Sequence, residues 1–205
     1  MPRLLELFAG TGSIGKVFRA RGWEVISIDI DPKTSPTIVA DILNFDYRIL
    51  GGRYDALWAS PPCQMYSIAR SKSKHPRDLE TSDRMVQRVI DMIDFFNPTF
   101  WAFENPQTGL LKSRKVVDGI PFVDVDYCMY GARYRKRTRI WTNGTGQHWT
   151  RLCEHDCDAS NGKKHTSWAQ KGNGYTTHEL YAIPPLLCAE VYAAAKGVIR
   201  LSRAG

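Results

Sequence analysis

Short apolar runs alternate with segments of helical periodicity along most of the chain. Apolar residues recur at helical spacing from Leu79 to Phe96, and shorter helices are predicted from Ile14 to Gly22 and from Pro184 to Lys196. The predicted strands are residues 4–8, 23–29, 36–41, 54–59, 99–103, 122–127 and 139–142. Strands that alternate with helices in this way indicate an α/β fold with a doubly wound, mostly parallel sheet.

This periodicity is lost between residues 143 and 175, where glycine, asparagine, lysine, histidine, cysteine and tryptophan are mixed without a repeat. Such a segment has no continuous apolar face that could join the sheet. We therefore predict a small insert at 143–175 between a main domain, 1–142, and a C-terminal segment, 176–205, that completes the main domain.

The insert contains the pattern Cys153-x-His155-x-Cys157-x7-His165. Thiols and imidazoles at this spacing are typical of structural zinc sites, and the segment is too polar to form a core of its own. The pattern predicts a zinc ion bound by Cys153, Cys157 and His165, with either His155 or Cys128 as the fourth ligand. The side chains that would then face nucleic acid are Lys163, Lys164, Trp149 and Trp168. The alternative is a loop whose cysteines have no ligand role.

Composition places the chain among ordinary globular proteins, with 205 residues, 43% of them hydrophobic and 24% charged. The five cysteines show no disulfide-framework spacing, which favours thiols or metal ligands in a reducing compartment. Glu6 interrupts the N-terminus before an apolar leader could form, and no uncharged stretch approaches the roughly 20 residues of a membrane span. We expect a protein of the cell interior, cytoplasmic or, in a eukaryote, nuclear, without a membrane partner.

Positive charge is concentrated in two short segments, 70–77 (RSKSKHPR) and 133–139 (RYRKRTR), which contain nine of the 28 lysines and arginines and no acid. The rest of the chain has 19 basic against 21 acidic residues, so these segments account for the whole net charge of +7. A basic excess confined to two segments predicts a polyanion-binding surface, and nucleic acid is the expected partner.

A glycine turn follows the first predicted strand, with the spacing Gly10-x-Gly12-x-x-Gly15. Asp29 ends the next strand, where an acid can accept hydrogen bonds from a ribose. Nicotinamide cofactors and S-adenosylmethionine both fit this pattern. Asp41, at the end of the third strand, is placed to accept from an adenine amino group and favours the methyl donor.

A candidate nucleophile, Cys63, follows two prolines at the end of the fourth strand. Its position beside a basic segment predicts a lowered thiol pKa and a reactive thiolate. Glu104 ends the fifth strand, and neighbouring strands would bring its carboxyl next to Cys63. A thiolate and a carboxylic acid together suit attack on an electron-poor ring, because the acid can protonate a ring nitrogen as sulfur adds to carbon.

These segments resemble, in order along the chain, the motifs of the cytosine-C5 DNA methyltransferase family. The matching motifs are Leu5-Glu6-Leu7-Phe8-Ala9-Gly10-Thr11-Gly12, Asp29-Ile30-Asp31, Ala40-Asp41-Ile42, Ser60-Pro61-Pro62-Cys63-Gln64, Glu104-Asn105-Pro106, Tyr130-Gly131 with Arg137-x-Arg139, and Ile183-Pro184-Pro185. The resemblance implies a Rossmann-like S-adenosylmethionine-dependent methyltransferase fold. It also implies duplex DNA as the partner.

The resemblance implies a covalent mechanism. Cys63 would attack C6 of a flipped cytosine, Glu104 would hold N3, and C5 would take the methyl group from S-adenosylmethionine. Loss of the C5 proton and elimination of Cys63 would then release 5-methylcytosine. Gln64 is counted with the catalytic residues, and Arg139 would support the flipped base.

The resemblance also implies which residues contact the cofactor and the phosphates. The cofactor contacts are Phe8, Gly10, Gly12, Asp29, Ile30, Asp41 and Pro61. The phosphate contacts are Arg70, Lys72 and Lys74 on a loop that would close over the substrate, and Arg135, Lys136 and Arg137.

The chain departs from common family members in three places. Pro106 replaces a valine, Leu180-Tyr181-Ala182 replaces a Gly-Asn, and only 38 residues separate Arg139 from His178, where a much larger target recognition domain is usual. Sequence specificity is therefore expected to be short or loose, or supplied by a protein partner or a dimer. The alternatives are a transfer RNA cytosine-C5 methyltransferase, a nucleic-acid-binding protein of this fold without turnover, and a nicotinamide oxidoreductase.

Overall fold

Seven strands form one sheet in the part of the chain that the computed structural model describes, which is residues 1–68, 70, 74–145, 149, 152–169 and 174–204. The strands are β1 (Arg3–Leu7), β2 (Glu24–Asp29), β3 (Ile38–Val39), β4 (Ala56–Ala59), β5 (Phe100–Pro106), β6 (Phe122–Asp126) and β7 (Arg137–Thr142). Their order is β3-β2-β1-β4-β5-β7-β6, and every pair is parallel except the two that β7 makes. The predicted doubly wound, mostly parallel sheet is confirmed.

The α-helices of the described residues are α1 (Ser13–Arg19), α2 (Leu79–Phe96), α3 (Thr177–Tyr181) and α4 (Pro185–Ala204). Helix α2 has the predicted bounds. It begins after Asp78, whose side chain accepts a hydrogen bond from the backbone N of Thr81 at 2.9 Å. It ends at Asn97, which adopts a left-handed conformation with φ of 41° before Pro98.

Helices cover both faces of the sheet. On one face Leu187 and Val191 of α4 share a buried cluster with Phe18 of α1. On the other face α2 contributes Val89 and Met92 to a second cluster. Strand β4, at the centre of the sheet, is buried along its whole length, as is usual for a parallel strand covered on both faces.

The C-terminal segment Thr177–Ser202 is long and apolar enough to cross a membrane by length and composition alone. A core helix passes the same test, and α4 buries Cys188, Ala195 and Ile199 in the cluster described above. The segment therefore gives only weak evidence for a membrane span.

Several elements differ from the sequence prediction; the largest shortening is in β3, which is Ile38–Val39 where 36–41 was predicted. Three other differences bear on the core or the site. Helix α4 continues past Lys196 because Ile199 still packs on the core, so Gly197 does not end it. Helix α3 was not predicted; its five residues begin with a capping box between Thr176 and Glu179. Strand β5 continues to Pro106 because it pairs with β7, which places Glu104 inside the sheet.

Candidate active site and metal centre

A cavity of about 350 Å³ lies at the carboxyl ends of β1, β2, β4 and β5, where open α/β sheets bind ligands. We call it the glycine-turn cavity. Of the predicted cofactor contacts, those that line it are Phe8, Gly10, Asp29, Ile30 and Pro61. Its volume is within the usual range for small-molecule sites.

Backbone geometry fixes the turn after β1. Gly10 and Gly12 have φ of 47° and 65°, in the left-handed region that favours glycine. The backbone N of Gly10 donates to Oδ2 of Asp29 at 2.8 Å, and the N of Asp31 donates to Oδ1 at 2.8 Å. Asp29 thus holds the turn, and each carboxylate oxygen keeps a lone pair for a ligand.

Two predicted cofactor contacts lie outside the described lining of this cavity, Gly12 and Asp41. The carboxylate of Asp41 accepts from the backbone N of Leu43 at 3.0 Å and from Nδ2 of Asn44 at 2.6 Å. In this structure Asp41 therefore stabilises the turn after β3. Its predicted contact with adenine stays a prediction.

Glu6 is a buried acid in the lining of the glycine-turn cavity that the sequence analysis did not select as a site residue. It is 2% exposed, and the backbone N of Gly15 donates to its Oε1 at 2.9 Å. Its other oxygen, Oε2, has no hydrogen-bond partner among the described residues. Burial raises the pKa of this carboxyl to about 7. The signal in the sequence was a single acid inside an otherwise apolar strand.

We expect Glu6→Gln to remove a pH dependence from the stability of the protein. The folded protein holds the Glu6 proton with a pKa of about 7, against 4.5 for an unburied carboxyl. Stability from this group is therefore complete below about pH 4.5 and is lost as the pH rises through 7. Between about pH 5.5 and 8.5 the loss amounts to about 2 kcal/mol. Urea unfolding across this range should show a fall in the wild type and a flatter profile in the variant.

The control for this measurement is Glu80→Gln, at an exposed acid in the first turn of α2. Its unfolding profile should fall with pH as the wild-type profile does. If the Glu6→Gln profile also fell in parallel with the wild type, the Glu6 carboxyl would be ionised throughout, and its burial would not govern its titration.

Cys63 lies on the loop after β4, and the end of β5 holds this loop in place. Nδ2 of Asn105, which is buried, donates to the backbone O of Pro61 at 2.9 Å. Beyond the cysteine, the backbone N of Leu110 donates to the O of Tyr66 at 3.0 Å. The Pro-Pro-Cys segment is thus fixed on one side by the end of β5 and on the other by the chain that follows β5.

The predicted lowering of the Cys63 pKa is wrong for the protein without bound substrates. Burial raises the pKa of this thiol, and the nearby Glu104 carboxyl raises it further. Lys136 acts in the opposite direction as the nearest favourable charge. The thiol is therefore protonated at rest, and a positive charge beside it is available to stabilise the thiolate.

Glu104 lies beside Cys63, as the strand order predicts. Strands β4 and β5 pair in register, with Ala59 opposite Phe103, so the two side chains leave neighbouring strand ends. Glu104 is 9% exposed, burial raises its pKa, and its Oε2 has no hydrogen-bond partner among the described residues. Burial thus favours the protonated form of this carboxyl, and in that form it can donate a hydrogen bond to an acceptor nitrogen.

A second cavity of about 700 Å³ adjoins the first, and we call it the basic cavity. The residues that line both cavities are Cys63, Pro106, Lys136 and Tyr181. Arg135, Arg137 and Trp168 line the basic cavity as well. Cys63 therefore stands where two ligand spaces meet, as a two-substrate reaction requires.

Lys136, and not Arg139, is the basic residue that reaches the site. Arg139 lies across from Asn105 in the antiparallel pair, whereas Ile140 lies across from Glu104. Successive side chains of a strand point to opposite faces. Arg139 therefore lies on the other face from Glu104, where its Nε donates to Oδ1 of Asp124 at 2.8 Å. The predicted support of a flipped base by Arg139 disagrees with this placement.

Lys136 was predicted as a phosphate contact, but the structure places it beside Cys63, in the lining of both cavities. Its Nζ donates to the backbone O of Leu180 at 3.0 Å and lies 4.8 Å from the centre of the Tyr127 ring. Tyr181, next to Leu180, has its hydroxyl 3.4 Å from Nε2 of Gln64. Helix α3 is thus joined through Leu180 to Lys136, just before β7, and through Tyr181 to Gln64, on the loop after β4.

The other predicted phosphate contacts differ in placement. Arg137 makes a two-armed ion pair with Asp126, at 2.6 and 3.0 Å, and Nε of Arg135 lies 3.6 Å from the same carboxylate. Lys74 is exposed, and Arg70 Nη2 lies 3.5 Å from the backbone O of Pro76. Lys72 lies outside the described residues, and the predicted loop closure stays a prediction.

The insert brings together the ligand atoms of Cys128, Cys153, Cys157 and His165, all within 4.8 Å of one another. We call these four residues the Cys/His group. Nε2 of His165 lies 3.5, 3.3 and 3.5 Å from the three sulfurs. A tetrahedral zinc ion with ordinary bond lengths sets sulfur and nitrogen ligands about 3.6 Å apart, so the donor set fits zinc.

Cys128 takes the fourth position in this group, and His155 does not. The ring of His155 lies 4.8 Å from that of His165, outside the group of donor atoms. Cys128 follows β6, so the group joins the insert to the sheet. Asp126 adds a second connection, because its Oδ2 accepts from the backbone N of Cys153 at 3.0 Å while its carboxylate also pairs with the arginines named above.

Of the side chains predicted to face nucleic acid, Trp149 is fully buried in the core. Its Nε1 donates to the backbone O of Gly144 at 3.2 Å, so its role is packing and the prediction for it is wrong. Trp168 is 47% exposed, and Lys163 and Lys164 are exposed.

Comparison with known proteins gives consistent matches. Residues 2–120 match the family model "C-5 cytosine-specific DNA methylase". The chain is 34% identical over 158 residues to a protein of Frog virus 3 (isolate Goorha) named "Probable DNA (cytosine-5)-methyltransferase", covering 70% of this chain and 72% of that protein. It is 27% identical over 124 residues to the type II methyltransferase M.AplI of Arthrospira platensis, covering 57% of this chain and 35% of the relative.

Two solved structures share the fold. A candidate DNA modification methyltransferase encoded within an Escherichia coli prophage superposes with a TM-score of 0.52 at 17% identity, covering 69% of this chain and 46% of that one. The methyltransferase EhMeth of Entamoeba histolytica superposes with a TM-score of 0.53 at 16% identity, covering 81% and 58%. The chain thus spans about half the length of each structure.

Proposed function

The chain belongs to the C-5 cytosine-specific DNA methylase family, and from this membership we propose how its residues transfer a methyl group to C5 of cytosine in DNA. The observation that carries the proposal is the meeting of the two cavities at Cys63, beside the Glu104 carboxyl, whose pKa burial raises. The glycine-turn cavity would take S-adenosylmethionine. An extruded cytosine of the duplex would enter through the basic cavity and reach Cys63 and Glu104 where the two cavities meet.

Cys63 and Glu104 act on two atoms that lie across the cytosine ring from each other, C6 and N3. The Cys63 thiolate bonds to C6 while Glu104 donates its hydrogen bond to N3, so electron density accumulates at C5. S-adenosylmethionine supplies the methyl group when it is bound. After C5 is methylated, solvent water takes the C5 proton, the electrons of that bond form the C5–C6 double bond, and the bond between Sγ and C6 breaks with its electrons on sulfur. This restores the aromatic ring and returns Cys63 as a thiolate.

Lys136 contributes charge to the first step. Its ammonium favours the Cys63 thiolate, and its hydrogen bond to the backbone O of Leu180 fixes its direction. It also lowers the pKa of Glu104, against the larger effect of burial, which raises it. Forming a thiolate in a buried site is costly without such a charge. Lys136 therefore replaces Arg139 as the basic residue we assign to the reacting centre.

We also propose that the Cys/His group binds one zinc ion with a structural role. Four protein ligands leave no open coordination position for chemistry. Burial, together with the neighbouring thiols, raises the pKa of Cys128, so metal binding must release protons. Because all five cysteines are free thiols, we further propose a reducing compartment, the cell interior.

The experiment that tests the proposed function is transfer of labelled methyl groups from S-adenosylmethionine to duplex DNA, with the modified base identified after hydrolysis. We expect 5-methylcytosine in DNA, unaffected by ribonuclease. Label in RNA and not in DNA would favour the transfer RNA alternative. Cofactor binding without any methyl transfer would favour a nucleic-acid-binding protein that has lost turnover.

A further inference from the structure

Trp168 is an exposed aromatic residue in the wall of the basic cavity. Nearly half of its surface is accessible, and it shares this cavity with Cys63 and Lys136. Tyr181 and Ile68, which are also exposed, line the same space. Aromatic rings beside basic groups are the usual means by which proteins hold bases that have left the duplex stack.

The insert uses its two described tryptophans differently. Trp149 lies in the main core and is completely buried, so its indole contributes to folding. Trp168 belongs to neither of the large core clusters that cover the sheet. Together with the exposed Tyr181 and Ile68 it forms an apolar patch in the basic cavity, and exposed apolar patches beside polar groups mark interaction sites.

Backbone contacts with the basic segment hold the position of Trp168. Trp168 forms an isolated bridge with Arg135. The backbone N of Arg135 donates to the O of Ser167 at 3.0 Å, and the N of Ala169 donates to the O of Arg135 at 3.1 Å. These contacts hold the C-terminal part of the segment 165–169, which contains Trp168.

The Cys/His group holds the same segment on its N-terminal side. His165, three residues before Trp168, is buried against the sulfurs of the group. Asp126 pairs with Arg135 and accepts from the backbone N of Cys153, so the basic segment and the group share one anchor. The position of Trp168 therefore depends on the contacts with Arg135 and on the Cys/His group.

We propose that Trp168 stacks on an unstacked base of the substrate strand and that the metal centre holds it in position for this contact. This inference rests on the proposed function, since it assigns the aromatic wall of the site where DNA is methylated. The occupant is a base of DNA because the ring lies beside Arg135 and Lys136 and opens onto Cys63.

The first test compares Trp168→Ala, Trp168→Phe and the wild type in binding to a fluorescein-labelled, cytosine-containing duplex, by anisotropy. Loss of one stacked base should weaken binding about 5- to 150-fold, the equivalent of about 1–3 kcal/mol. Phenylalanine should restore most of the affinity. The slope of affinity against salt should not change, because no phosphate contact is lost.

The control is Phe95→Ala, at an exposed aromatic residue on α2 that is absent from both cavities. It should bind duplex DNA as the wild type does. Trp168→Ala should also keep the wild-type affinity for S-adenosylmethionine. Wild-type DNA affinity in Trp168→Ala, or equal losses in Trp168→Ala and Phe95→Ala, would overturn the proposal.

A double-mutant cycle tests the connection to the metal centre. Cys157→Ser should weaken DNA binding in the wild-type background but add little in the Trp168→Ala background, since both changes remove the same contact. Additive losses would show that the group acts on DNA by another route.

Failure of the inference and failure of the proposed function give different results. If the wild type makes 5-methylcytosine and Trp168→Ala matches it in rate and DNA affinity, only the inference fails. If the wild type binds DNA through Trp168 but transfers no methyl group, the stacking contact stands and the proposed turnover fails.

Discussion

Replacing Cys63 with alanine is expected to lower the rate of cytosine methylation by about 10⁴-fold or more, because loss of a catalytic nucleophile usually costs at least this much. Asn105 and the chain after β5 hold the loop by backbone contacts that do not involve the Cys63 sulfur. The variant should therefore fold and bind S-adenosylmethionine as the wild type does. The measurement is methyl transfer at saturating cofactor, beside a titration of cofactor binding.

The matched control is Cys188→Ala. Cys188 is a buried thiol on α4, and it lines neither cavity in the described part of the chain. Its loss should leave methyl transfer near the wild-type rate.

A complementary readout is a stable protein–DNA adduct on duplex containing 5-fluorocytosine. Fluorine at C5 replaces the proton that must leave, so the adduct cannot break down. Wild type should form this adduct and Cys63→Ala should not; an adduct with the variant would exclude Cys63 as the nucleophile.

The closeness of Cys63 to Glu104 could be predicted from the sequence because it depends on strand order alone. Cys63 follows one apolar strand and Glu104 lies near the end of the next, and consecutive strands usually lie side by side. The pairing of β4 with β5 confirms this. The glycine turn and Asp29 were predictable for the same reason, since a short turn and the neighbouring strand end leave little freedom.

The placement of Lys136 and Arg139 could not be predicted in this way. A shift of one residue in strand register moves every side chain to the other face. The sequence shows a run of basic residues but not which member aligns with Glu104. The pairing of β5 with β7 places Arg139 opposite Asn105, and it depends on how far β5 continues beyond Phe103. Lys136 precedes β7 and is held instead by its hydrogen bond to the backbone O of Leu180.

The fourth ligand of the Cys/His group illustrates the same limit over a longer distance. Spacing within the insert pointed to His155, and Cys128 was the alternative although it is 25 positions before Cys153 in the chain. The choice follows from the fold of the insert onto the end of β6, which brings Cys128 to the group. Long-range contacts of this kind have no local sequence signal.

Removing the metal is expected to have the second large effect, this time on stability. The purified protein should contain one zinc ion per chain, and stripping it with a chelator should lower the unfolding free energy by about 3 kcal/mol or more. For a chain of this size that corresponds to a fall in melting temperature of about 6–12 °C. The physical reason is that a polar insert with few buried apolar residues loses the cross-link that joins it to the sheet.

Single substitutions distinguish the ligands from their neighbours. Cys128→Ala and Cys157→Ser should both lose zinc and melt at the temperature of the chelated wild type, whereas His155→Ala should keep one zinc ion and the wild-type melting temperature. Cys188→Ala again serves as the thiol control and should keep its zinc. Zinc retained by Cys128→Ala but lost by His155→Ala would reverse the ligand assignment, and a wild type without zinc would remove the metal centre altogether.

Because the group lies between Asp126 and Trp168, loss of the ion should also expose the segment 152–169 to protease before the sheet unfolds.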